Sequence, residues 1–156
     1  MSITTAKEQY VLHYLALIDM ERVIRSLEYL ETVEDKYLRE VLFRDAVICY
    51  AKPFSGNRSI SGKKKLRVTE SFVPQALSRS HTEVLDLRDK LFAHMDLDRQ
   101  APNVTLEERD GEKQMSFSVV GYERVFTDYL LAPLNKLAKI AQSFLHQELK
   151  KIESNA

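Results

Sequence analysis

The stretch TAKEQYVLHYLALIDMERVIRSLEYLE, Thr5 to Glu31, decides the fold class. It opens on Thr5-Ala6-Lys7-Glu8, a hydroxyl followed three residues later by a carboxylate, the pattern that caps the first turn of a helix. At roughly 100° per residue, Leu12, Ala16, Leu17, Met20, Val23, Ile24, Leu27 and Leu30 share one broad face, and Glu8, Asp19, Arg22 and Ser26 lie opposite. A long amphipathic helix is expected. Val11, Leu15 and Ile18 fall outside the apolar face, so the first half is either buried on two sides of the monomer or offers a self-association surface. The second reading is preferred.

Outward from this helix, a second is expected from about Asp35 to Lys52, stopped by Pro53 and Gly56, with Leu38, Val41, Leu42, Ile48 and Cys49 as its core face. Phe54 to about Ser80 shows no long periodicity, and loops of that length usually carry some structure; a short helix is expected near Pro74–Arg79. A third helix runs from about His81 to Met95. Asn103–Arg109 and Lys113–Val120 then alternate around Asp110-Gly111, a strong hairpin signal. The last helix covers about Tyr122 to Ile152, with a bend expected at Pro133. The chain therefore reads as mainly α, a four-to-five-helix bundle in a single domain, 1–156, with a small β-hairpin insert at about 103–120 before the last helix.

With 44% apolar residues among 156, the chain can bury one core, and its 23 basic and 23 acidic side chains cancel. No global field announces a nucleic-acid or membrane partner, so any electrostatic site is local. The lone Cys49 cannot form an internal disulfide. No apolar run approaches about 18 residues, and the first residues lack the secretion pattern, so a cytoplasmic protein with no membrane contact is expected. His13, His81, His94 and His146 show no metal-ligand spacing with one another or with Cys49; neither a metal nor a cofactor is expected. His13 reads as a packed histidine and His146 as a surface one.

Two charges break the apolar patterning. Arg88 falls near the middle of an arc formed by Val84, Leu85, Leu87, Leu91, Phe92 and Met95, and Asp45 falls in the centre of the expected core face of the second helix. A charge on a buried face needs a partner or a ligand, so an Asp45–Arg88 structural pair is one expectation. His94 lies six positions after Arg88, about 120° away on an ideal helix, so the two do not share a face. A second copy of the chain, a bent helix end or a spanning ligand would have to bring them together.

Arg88-Asp89-Lys90-Leu91-Phe92-Ala93-His94 resembles the signature of HEPN domains: Arg, then usually Asn, Asp or His, then His after a gap of four to six residues. Here the gap is five and the second position is Asp. The continuation Ala93-His94-Met95-Asp96 is similar to that of some members. Ala51-Lys52-Pro53-Phe54-Ser55 resembles an Arg-Pro-Phe turn of similar bacterial proteins, with Lys for Arg. The resemblance implies a homodimer whose two motifs face each other across a cleft, which in catalytic members is a metal-independent RNA endonuclease site.

The residue types suit that chemistry. A 2′-hydroxyl attacks the adjacent phosphorus, His94 moves a proton near its ordinary pKa, Arg88 holds the phosphate oxygens, and Asp89 orients either side chain. Lys63, Lys64, Lys65 and Arg67, beside Arg58, form the one locally basic segment and are the expected RNA contacts, although no aromatic side chains interleave them for stacking. Three functions are carried forward: a ribonuclease of a toxin–antitoxin or defence system acting on single-stranded RNA; a non-catalytic HEPN-like module binding RNA, a nucleotide or a protein such as an antitoxin; and a plain helical adaptor.

Overall fold

The computed structural model describes residues 3–59, 62, 65–89, 103–109, 111–118 and 127–155. Among them are four α-helices: α1 Ile3–Thr32, α2 Lys36–Ala51, α3 Ser78–Leu87 and α4 Thr127–Ser154. A 3-10 turn, Lys52–Phe54, follows α2, and another, Gln75–Leu77, leads into α3. Two antiparallel pairs complete the chain: β1 Asn57–Arg58 with β2 Lys65–Leu66, and β3 Asn103–Arg109 with β4 Glu112–Ser118. The fold is the expected helical bundle with a hairpin before its last helix.

The core face expected for α1 is the one it buries: Met20, Val23 and Leu30 are fully inaccessible, and Leu12 and Ile24 pack at its edge. It meets Leu134, Leu137 and Leu145 of α4, which runs antiparallel to α1, as the Tyr10 hydroxyl on Glu153 shows. The start differs from expectation. Thr5 lies inside the helix, which begins at Ile3, so it is not the cap. α4 runs through Pro133 without interruption.

The α1–α2 turn is capped from both sides. Asp35 Oδ1 accepts the Leu38 N–H at 2.8 Å, and Arg39 Nη1 donates to the Leu30 and Val33 carbonyls at 2.6 and 3.0 Å, satisfying the open end of α1. α2 then buries only part of the face expected: Cys49 lies in the core and Leu42 packs against it, but most of the buried surface comes from another row. Phe43, Ala46, Val47 and Tyr50 are buried, whereas Leu38 and Val41 stand 44% and 42% exposed. The helix carries two apolar rows on nearly opposite sides, and the one with two aromatic rings takes the core because it removes more apolar area from water.

α3 starts three residues earlier than expected because the Gln75–Leu77 turn winds directly into it. It packs on α2 and α4, the two helices that α1 also contacts. The segment between α2 and α3 is pinned by Val68, whose N–H donates to the Pro53 carbonyl at 2.9 Å, and by Phe72, stacked on Phe144 and tilted against Phe54. In the β3–β4 hairpin, Arg109 pairs with Glu112 across Asp110-Gly111. Gly111 has φ +81°, a region that L side chains avoid. Leu106 and Met115 face each other across the ladder, 64% and 69% exposed. No helix among the described residues is long and apolar enough to cross a membrane.

Candidate functional site

α3 ends where the recognisable motif begins. His81, Val84 and Leu87 form its buried row, and the Arg88 N–H closes the last turn on the Leu85 and Val84 carbonyls. At Arg88 and Asp89 the backbone widens into a π-type turn, a distortion found often at functional positions. The Arg88 side chain is 32% exposed and Asp89 60%. Arg88 Nη1 sits 2.5 Å from Asp89 Oδ1. The carboxylate thus orients the guanidinium, while the pair stays open to solvent and contributes at most about 1 kcal/mol to stability. Lys90 and His94 lie outside the described residues.

The expected Asp45–Arg88 pair is corrected. With α2 turned to bury Phe43 and Val47, Asp45 sits on the seam with α1 rather than in the core. Arg22 grips it twice, Nε to Oδ2 and Nη2 to Oδ1, both at 3.0 Å, and Ser26 Oγ donates to Oδ2 at 3.0 Å. The α1 stripe opposite its broad apolar face therefore meets α2 at Arg22 and Ser26, with Asp19 held by Lys52 at 2.9 Å further along. Asp45 raises the Arg22 pKa through this hydrogen bond. Cys49, beside it, has its thiol pushed up to about 11 by burial and then by the Asp45 charge, so it stays protonated and unreactive near neutrality.

Lys65 and Arg67 are both exposed; Lys63 and Lys64 lie outside the described residues. The ladder register sets Lys65 directly opposite Arg58. Two cations facing each other across strands repel, and an anion bound between them would relieve that repulsion.

Sequence reasoning missed one cluster. His81 is 4% exposed; its Nδ1 shares a 2.8 Å hydrogen bond with the Tyr50 hydroxyl, and its ring stands edge-on to Tyr50 and Phe54. Its Nε2 lies 3.3 Å from Glu70 Oε2, close enough to pair but not aligned as a hydrogen bond. Burial lowers the His81 pKa, and Glu70 only partly offsets that. Burial, then Glu70, raises that of Tyr50. The three residues come from α2, the long connection and α3, so no spacing in the sequence joins them. They latch the connection to the bundle. His13 is packed as expected, with Nδ1 2.7 Å from the Gln9 carbonyl. Among the described residues no group of His, Cys, Asp and Glu is placed to hold a metal ion.

Comparison with family models, with curated proteins and with solved structures gave no match. The resemblance to HEPN domains therefore rests on the Arg88–His94 segment and the order of elements.

Proposed function

We propose that this chain is a metal-independent endoribonuclease of HEPN type, acting as a homodimer on single-stranded RNA as the toxin or defence component of a larger system. The observation that carries the reading is Arg88: a half-exposed guanidinium at a π-type turn ending α3, oriented by Asp89, six positions before His94. A planar, permanently charged fork in that position suits phosphate oxygens as negative charge builds on them. His94 supplies the proton transfer, and Lys63, Lys64, Lys65 and Arg67 guide the backbone of the RNA. Two copies joined near the ends of α3 would place one Arg88 opposite the other.

A non-catalytic module that binds RNA, a nucleotide or a protein is the second reading. It is favoured by the zero net charge and by the Asp89 carboxylate already occupying Arg88. Titrating labelled single-stranded RNA at increasing salt separates the two. Binding that weakens steeply with salt while the RNA stays intact selects the module; cleavage in the same tubes selects the nuclease.

A further inference from the structure

A groove of about 620 Å³, within the size range of small-molecule sites, runs between α1 and α4. Leu27 and Glu31 form its α1 wall, and Leu131, Asn135, Lys136 and Lys139 stand on the α4 wall. None of its lining residues comes from α3, so the groove is not the Arg88 edge.

Two buried side-chain atoms among the described residues find no hydrogen-bond partner, His81 Nε2 and Asn135 Oδ1. Glu70 stands beside the first; no side chain answers the second. An unpaired buried acceptor is costly, and each one that a native fold keeps calls for a reason. Asn135 lines the groove, and a ligand hydroxyl that draws its amide toward the opening supplies the missing donor.

The charges of the groove point the same way. Lys136 and Lys139 are three residues apart on one face of α4, both exposed, and neither has a hydrogen bond or ion pair among the described residues. Like charges at that spacing repel, and one anion held between them removes the repulsion. Glu31, on the facing wall, lies in the last turn of α1, the negative end of the helix, where a carboxylate is disfavoured until donors reach it. The α4 wall therefore calls for an anion, and Glu31 with Asn135 calls for hydroxyl donors. A bare phosphate answers only the first, and a neutral sugar only the second. A phosphate monoester of a sugar answers both, with Leu27 and Leu131 against the C–H face of its ring.

We propose that the α1–α4 groove binds a sugar phosphate, its phosphate between Lys136 and Lys139 and its hydroxyls on Glu31 and Asn135. The site is independent of the ribonuclease reading.

Isothermal titration calorimetry on the full chain tests this with ribose 5-phosphate and glucose 6-phosphate, beside inorganic phosphate and the free sugars. At least one ester binds with a Kd below about 1 mM, and inorganic phosphate and the free sugars bind at least about tenfold more weakly. Lys136→Glu with Lys139→Glu abolishes binding; both side chains are exposed, so the fold stands. Glu31→Gln weakens the ester by about tenfold and leaves inorganic phosphate unaffected. Asn135→Leu removes the unpaired acceptor, so the melting temperature does not fall while binding weakens by about tenfold. A purely structural Asn135 would do the reverse. Arg88→Ala leaves the titration unchanged, which keeps this site distinct from the nuclease edge. No binding of either ester at about 10 mM, inorganic phosphate binding as tightly as the esters, binding that survives the lysine reversals, or binding lost in Arg88→Ala would each overturn the proposal.

Discussion

Replacing His81 with Phe keeps a ring in the box made by Tyr50 and Phe54 but strands the Tyr50 hydroxyl, whose hydrogen bond to Nδ1 measures 2.8 Å. Tyr50 is fully inaccessible, so the hydroxyl has no water to turn to. A buried polar group left unpaired costs about 1–3 kcal/mol. Tyr50→Phe strands Nδ1 instead, at similar cost. The double variant strands neither, so its loss falls short of the sum of the singles by about 1 kcal/mol or more. In a domain of this size each kcal/mol moves the melting temperature by about 2–4 °C. The pH dependence follows from the same burial. In the folded chain the His81 pKa is lowered from 6.5, so above that value both folded and unfolded states hold it neutral. Below 6.5 the unfolded chain takes up the proton first, and stability falls with pH, by up to about 1.4 kcal/mol per unit, until the lowered folded pKa is reached. Urea unfolding of wild type, both singles and the double, from pH 8 down to about pH 5, reads all of this. Strictly additive losses, or an acid-side decline identical in His81→Phe, would refute the reasoning.

Three further outcomes follow from the same structure. Asp45→Ala removes the acceptor of Arg22 and Ser26 and lowers stability by about 1–2 kcal/mol; combined with Arg88→Ala the effects add, since the two residues share no contact. Asp35→Ala uncaps α2 and costs about 1 kcal/mol in chemical unfolding, with Asp35→Asn losing far less. Lys65→Glu with Arg67→Glu weakens RNA binding and flattens its salt dependence, in a filter or anisotropy assay, while leaving the melting temperature within about 2 °C, because both side chains are exposed.

How far the sequence could be read depends on how many apolar rows each segment carries. In α1 the row from Leu12 to Leu30 has a single phase, and the core follows it. In α2 there are two rows on opposite sides, Leu38–Val41–Ile48 and Phe43–Val47–Tyr50, and periodicity cannot choose between them; volume and aromatic packing do. The misassigned face is what suggested that Asp45 was a core charge and hence the partner of Arg88. The β3–β4 hairpin was legible because Asp110-Gly111 supplies the positive φ that a two-residue connection needs. The two-residue β1–β2 ladder carries no pattern at all, and its opposed Arg58 and Lys65 emerge only from the register. At the candidate site the sequence marked Arg88 by its misfit on an apolar arc. Why it misfits is now plain: Val84 and Leu87 hold the core, and Arg88 sits at the rim where the helix widens.

The most direct measurement is incubation of the purified chain with mixed single-stranded RNA in excess EDTA, beside folded Arg88→Ala and His94→Ala variants, with the product ends identified. Cleavage that leaves 2′,3′-cyclic phosphates and falls by about a hundredfold or more in both variants is the expected result. Intact RNA with the wild type, or cleavage that persists in either variant, would contradict the ribonuclease reading.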